Sequence, residues 1–511
     1  MNGDIAINQH KDCGSIVQYL RYQSIFSSTR YCAMSLFFED FDEWYEAYET
    51  ASPLEQYEIV LGIVSSPIPL DYAVETDFVS ILIEVQGLLE GNNLLEHALS
   101  FIATLQKQQP ALYQQEFYYF DNFPIRYALF SRELSLMDEA LARYKQDPVK
   151  SIDELLPILD DLRFYDAREQ AADVSHVVYQ PVATSSKLMG YAEDDFGAVI
   201  MADMLEQTYE TLQQGNTVDW EAWGKESVSL GFENTTELQQ EIVQILTGET
   251  APPSALVTLF QEEPEVALRQ LSLRFNVKMA AQNQLSFVCS QAIWSAVIGF
   301  LGERQLSKKQ LSHPDRFFDF EFKELDRYIG RLMGNLFSFR QSMGFAVIWG
   351  LPHVYDVLRA EAVIEEAVYD SAIATTTKFQ ALMLKGWSAP LWRFSFVHRW
   401  GKPKHQTDQD FADETQRFAS TIDDSEPLST EPTEKPDWEK ILTNMAKEIS
   451  QKSSNNPGLP RSSTSNQSEQ PPANAKPRRT PKPRKSPIQE VKALNKGKGS
   501  KKKKKKGKGF S

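Results

Sequence analysis

At 511 residues and 58.2 kDa the chain is about three times the usual length of one domain, which predicts two structured domains with linkers. Hydrophobic residues make up 42% and aromatics 11%, enough apolar material for a large core, so a wholly disordered chain is excluded. The net charge of -17 divides unevenly: residues 451–511 carry 18 Lys plus Arg against Glu469 and Glu490 alone, a charge of +16, which leaves 35 basic and 68 acidic residues, a charge of -33, on residues 1–450.

A body this acidic repels nucleic acid and anionic lipid over most of its surface, so contact with a polyanion has to run through the tail or a local patch. The cysteines are Cys13, Cys32 and Cys289, an odd number without ligand spacing, which fits a reducing compartment and neither a disulfide framework nor a zinc site. No run of about 18 apolar residues occurs. The nearest, Ser286 to Leu301, is interrupted by Ser290, Gln291 and Ser295, and the expectation is a cytoplasmic protein with no membrane contact.

Residues 1–33 show little periodicity and are expected to form a flexible extension, with Met34 as an alternative start ahead of the acidic, aromatic run SLFFEDFDEWYEAYE. From there to 251 the apolar pattern is helical in segment after segment. Leu54, Tyr57, Leu61 and Val64 share a face after Ser52-Pro53; Val74, Phe78, Ile81, Leu82, Val85, Leu88 and Leu89 share the next, stopped at Gly91. Leu94, Leu95, Ala98, Ile102 and Leu105 follow, closed by Pro110, and Ser135 with Asp138 opens a helix through Met137, Ala140, Leu141 and Tyr144, closed by Pro148. Ser151/Glu154 and Thr236/Gln239 have the spacing of capping boxes. Strand alternation with Asn-Gly or Asp-Gly turns is absent, so the predicted class is all-α.

Prolines 110, 148 and 181 fall 38 and 33 residues apart, and Ala140-x3-Tyr144-x3-Pro148 places a small residue, an aromatic and a breaker in succession. Over residues 92–181 this resembles the end of the second helix of a tetratricopeptide repeat, although the Trp and Leu-Gly positions of the first helix are missing. The resemblance implies a helical-repeat array in 34–251 that binds protein partners.

Pro252-Pro253 predicts a boundary, followed by a second, aromatic-rich helical domain over 254–400. Leu325, Tyr328, Ile329, Leu332, Met333 and Leu336 form its cleanest amphipathic face, and Gly330 and Gly334 are expected to let another backbone pack closely. Residues 401–436, rich in Asp, Glu, Ser, Thr and Pro, read as an acidic disordered linker. In 437–450, Trp438, Ile441, Leu442, Met445 and Ile449 make one helical stripe; a helix this short is marginal in water and suits docking into a groove of a partner or of its own body. The tail 451–511 has too few apolar residues to offset the entropy of ordering it.

Catalytic signatures are missing: there is no GxxxxGK[ST], no GxGxxG after a strand, no HExxH and no GxSxG. Asp195-Phe196-Gly197 spells a kinase triplet without its companion motifs and is expected to be a chance match. His353 and Asp356, with Glu365 and Glu366, could converge as an acid/base or metal cluster, and His398 sits among aromatics, but core or rim positions are expected for both histidines. The acidic pairs Asp160-Asp161 and Asp194-Asp195 are expected as helix caps and solvated faces. Trp387 to His405 interleaves aromatics with Arg393, Arg399, Lys402 and Lys404, a mixture that stacks bases in single-strand binders but more commonly completes a core. The tail's KPRRTPKPRKSP and KKKKKKGKGFS, with Arg478, Arg479, Lys482, Arg484, Lys485, Lys501, Lys502, Lys503, Lys504, Lys505 and Lys506, resemble the Lys/Pro-rich tails of linker-histone-type and some ribosome-associated proteins, which implies sequence-independent phosphate contacts.

These patterns point to a non-enzymatic helical scaffold for protein partners, with no cofactor and no metal. A nucleic-acid- or ribosome-associated factor anchored by its tail is the alternative, and a helical enzyme built on His353 or His398 is the remaining option.

Overall fold

The computed structural model describes residues 37–423, apart from 187, 189–191, 233, 249–251, 334–339 and 388–389. All regular structure among the described residues is helical and no strand occurs, which is the predicted all-α class. Two compact units divide between Ile63 and Val64.

In the first unit the Asp40 carboxylate caps the helix Phe41–Thr50 by accepting from Glu43 N at 3.1 Å, and Trp44 stacks on Tyr48 one turn later. Ser52 and Glu55 then form a reciprocal capping box, Ser52 N to Glu55 Oε2 at 3.0 Å and Glu55 N to Ser52 Oγ at 3.5 Å, which starts the helix Pro53–Val64.

The second unit opens with Leu70–Glu75 and Phe78–Gly91, a pair that the sequence pattern merges into one face. Asp77 separates them by taking a left-handed backbone, φ 50°, and Val74 is left exposed. Leu95–Gln108 follows; Pro110 ends it by serving as the first residue of Pro110–Phe120. Within residues 92–181, Ala140 and Tyr144 on Asp138–Gln146 are both buried, and the Tyr144 hydroxyl donates to Tyr118 O at 2.7 Å. Pro181, expected to end a unit, instead lies in the last turn of Arg168–Thr184.

Neither predicted capping box in this unit forms as spaced. Ser151 turns its hydroxyl back to Asp147 O, leaving Ile152–Phe164 without a side-chain cap. Thr235, one residue earlier than expected, caps Thr236–Leu246 by accepting from Leu238 N, and Gln239 bonds Asn234 instead.

The expected division at Pro252-Pro253 falls within the second compact unit. Pro253 occupies the first turn of Pro253–Glu262, where a missing N–H leaves nothing unsatisfied, and the chain continues into the same compact unit. Helices from both sides pack together: Thr236–Leu246 against Pro264–Asn283, and Ile152–Phe164, Arg168–Thr184 and Ala192–Gln213 against Phe287–Gly302. Two helices form the centre. Phe287–Gly302 is the interrupted apolar run, and its polar interruptions are satisfied inside: Ser290 Oγ donates to Ser286 O, and Gln291 Oε1 accepts from Ser272 and Asn276. In Gln341–Ala360 every residue from Gly344 to Leu358 is buried. The two approach at Gly350, where an added Cβ would lie 2.8 Å from Ile293 Cγ2. Gly330, expected to serve that purpose, has open space around it, and Gly334 and Leu336 lie outside the described residues.

The acidic linker expected from 401 is folded over its first half. After the 3-10 helix Leu391–His398, the chain forms the helix Asp408–Asp423, on which Phe411, Glu414 and Phe418, at i, i+3 and i+7, are the positions sheltered from solvent over 408–419. The Phe418 ring meets His398 at 4.6 Å and Trp349 at 5.5 Å between centroids.

Candidate functional site

The stripe Trp438, Ile441, Leu442, Met445 and Ile449 and the basic residues from Arg478 to Lys506 lie outside the described residues. The other sequence candidates can be placed.

Trp387 to His405 completes a core. Trp392, Phe394, Phe396 and Trp400 are buried, with Phe394 stacked on Phe345 at 4.0 Å, so these rings have no face to offer a base. The two arginines are turned inward as well, whereas Lys402 and Lys404 are exposed. Arg399 donates to Leu129 O at 2.7 Å and Phe130 O at 2.9 Å and lies over the Tyr165 ring; Arg393 lies 3.9 Å from Glu90. The Tyr165 hydroxyl lies 3.1 Å from each of Trp392 O, Arg393 O and Ser395 Oγ, and Trp400 Nε1 donates to Phe164 O at 2.9 Å. A segment near residue 400 is thereby fastened to helices near residues 130 and 165.

Asp160-Asp161 is neither a cap nor a solvated face. The two residues sit inside Ile152–Phe164, where Asp161 accepts from Arg126 Nε at 2.9 Å and from Ser342 Oγ. Burial pushes the Asp160 carboxyl up to about 6, with Arg163 and Arg340 opposing the rise. Two further carboxylates do the same kind of fastening: Asp166 accepts from the backbone and hydroxyl of Ser286, and Glu206 accepts from Phe287 N at 2.8 Å while its other oxygen meets Arg168. Together they cap the free N–H groups at the start of Phe287–Gly302. Burial raises the Glu206 carboxyl to about 7, against the pull of that N–H and of Arg168. Asp195-Phe196-Gly197 lies within the helix Ala192–Gln213, with Phe196 in the core and Gly197 against the Tyr179 ring.

His353 is buried in Gln341–Ala360, and burial pushes it down to about 4, opposed by Asp356 and reinforced by His405. Asp356 accepts from Tyr369 Oη at 2.8 Å and from Lys404 N at 3.0 Å, which ties the segment after Trp400 to the central helix. Glu365 and Glu366 do not join it; both are exposed, and Glu366 pairs with Arg359. Among the described residues no group of three His, Cys, Asp or Glu side chains is placed to hold a metal ion, and no helix is long and apolar enough to cross a membrane.

His398 has the partner that sequence reasoning missed. Glu414 Oε1 lies 2.8 Å from His398 Nε2 and 2.8 Å from Trp349 Nε1. Burial favours the neutral acid, but these two hydrogen bonds hold the Glu414 carboxyl below its ordinary value, so it accepts as a carboxylate and His398 donates through Nε2. Glu414 belongs to the stretch read as a linker, and the Phe411, Glu414, Phe418 spacing is the signal that could have revealed it. Behind this bond a cleft of about 420 Å³ separates Glu366–Gly386 from residues 405–417, with Gln380 and Leu384 on one wall and His405, Asp410, Glu414 and Arg417 on the other. Burial pushes His405 below its ordinary value, against the attraction of Asp356 and Glu414.

Comparison with protein-family models, with curated proteins and with solved structures found no match to this chain.

Proposed function

We propose that this chain is a non-enzymatic helical scaffold for protein partners. One observation carries the reading: buried and half-buried ionisable side chains fasten segments far apart in sequence. Arg399 holds the carbonyls of Leu129 and Phe130, Asp161 holds Arg126 and Ser342, and Asp166 and Glu206 hold the start of Phe287–Gly302. Such pairs favour one arrangement of helices over its competitors, and a fixed arrangement is what a platform for other proteins requires. The tetratricopeptide-like stretch 92–181 belongs to that platform in this reading, and the cytoplasm is its place. The stripe Trp438, Ile441, Leu442, Met445 and Ile449 is the docking element, entering an apolar groove of the partner as a short helix.

The test is affinity capture of the full chain, of Leu442→Asp and of a variant lacking residues 451–511, each with and without nuclease. A partner retained after nuclease treatment and after tail deletion, and lost with Leu442→Asp, supports the scaffold, because a charge in an apolar groove is desolvated without compensation. Capture that disappears with nuclease and with the tail contradicts it. That outcome belongs to a second reading, favoured by the +16 tail: a nucleic-acid- or ribosome-associated factor anchored through Arg478 to Lys506. Its binding would then fall by orders of magnitude between about 50 and 200 mM salt, as counterion release requires for roughly six to ten phosphate contacts.

A further inference from the structure

The cleft beside Glu414 is built from groups that accept hydrogen bonds and that the fold leaves open. Glu414 Oε1 takes both the His398 and the Trp349 bond, so Oε2 has no partner among the described residues. Asp410 uses Oδ2 for Thr407 Oγ1 at 2.6 Å, which leaves Oδ1. Gln380 is only 5% exposed, lines the cleft, and donates through Nε2 to Ile348 O, while its Oε1 accepts nothing among the described residues. Among the described residues of the lining the one arginine or lysine is Arg417, whose guanidinium donates to Leu384 O in the last turn of Glu366–Gly386. The helix Asp408–Asp423 carries five acidic residues against that single arginine.

We propose that this cleft binds the ammonium group of a primary alkylamine, with Asp410 and Glu414 as its charge partners and Gln380 Oε1 as a further acceptor. Three N–H donors on a compact cation suit several acceptors spread around a recess, whereas a planar guanidinium needs them paired in a fork. The volume is in the range of small-ligand pockets, and Leu384 with Ala381 offers an apolar wall along which a methylene stem can lie. Two sources supply this chemistry, a lysine of the chain's own Lys501–Lys506 run or a free diamine. The site rests on the geometry of 377–417 alone, and the scaffold reading stands or falls without it.

The experiment is titration calorimetry of the full chain with 1,5-diaminopentane, using 1,5-pentanediol as the uncharged ligand of similar length. The same titration is run on a full-length variant in which Lys501 through Lys506 are each changed to Gln. Saturable binding with Kd of about 0.1–1 mM is expected, with no heat from the diol. Asp410→Asn and Gln380→Met should each weaken it tenfold or more while leaving the circular dichroism spectrum unchanged. Tighter binding by the six-glutamine variant identifies the chain's own lysines as the competing occupant, and equal affinity points to a diffusible amine. No saturable binding by that variant, or binding that survives Asp410→Asn and Gln380→Met unchanged, overturns the proposal.

Discussion

Tyr165 illustrates how much a single side chain contributes in this interior. Its hydroxyl faces two backbone carbonyls and Ser395, all 3.1 Å away, in a setting that excludes water. Tyr165→Phe keeps the ring under Arg399 but leaves those acceptors short of a donor. Urea unfolding followed by tryptophan fluorescence should show a loss of about 1–3 kcal/mol; a loss within error would mean that solvent reaches the carbonyls. Asp161→Ala should be more severe, about 3–5 kcal/mol, because Arg126 is left as an unpaired charge in the interior. His353 makes a prediction of sign. Its pKa is depressed to about 4 in the folded chain by burial, from an ordinary 6.5. Between those values the unfolded chain takes up a proton that the folded chain does not, so the contribution to stability is present above 6.5 and is lost as pH falls toward 4. The full difference is on the order of 3 kcal/mol. His353→Gln should flatten the stability profile across that window relative to the unsubstituted chain, and an equally steep profile in the variant would assign the pH dependence to other groups.

At the scale of elements, the two helices at the centre are distinguished by one glycine. Gly350→Ala forces a methyl group against Ile293 and should destabilise by about 1–3 kcal/mol. Gly330→Ala meets nothing and should stabilise by about 0.5–1 kcal/mol through helix propensity. If both substitutions proved neutral, the close approach of Gln341–Ala360 to Phe287–Gly302 would be contradicted. Phe418→Ala should cost about 3–5 kcal/mol, since the ring fills the space between Trp349 and His398, and a cost below 1 kcal/mol would mean that Asp408–Asp423 is not docked. These elements also separate what the sequence shows from what it hides. Helices with a one-sided apolar face, such as Leu95–Gln108, are legible because their period follows directly from solvent on one side and core on the other. A helix buried all round has no such period, which is why Gln341–Ala360 does not announce itself as the centre. Asp408–Asp423 is illegible for the opposite reason, being acidic on every face except a narrow seam. Asp160-Asp161 and Glu414 are misread or missed because their partners, Arg126, Ser342, His398 and Trp349, are set by packing between segments that only the fold brings together.

The second unit as a whole is fastened by a chain that returns on itself. Residues 391–400 bind helices before 170, Asn283 donates to Trp400 O at 2.7 Å, and Asp166 and Glu206 cap a helix that begins 80 or more residues later. Contacts of that separation connect elements on both sides of residue 252, so helices early and late in the unit should open together. Native-state hydrogen exchange on the full chain measures this most directly. Amides of Ile152–Phe164 and of Gln341–Ala360 are predicted to exchange with the same free energy and the same denaturant dependence, as one cooperative body. Two distinct free energies, with helices before residue 252 opening independently of those after it, would contradict the locked platform on which the scaffold reading rests.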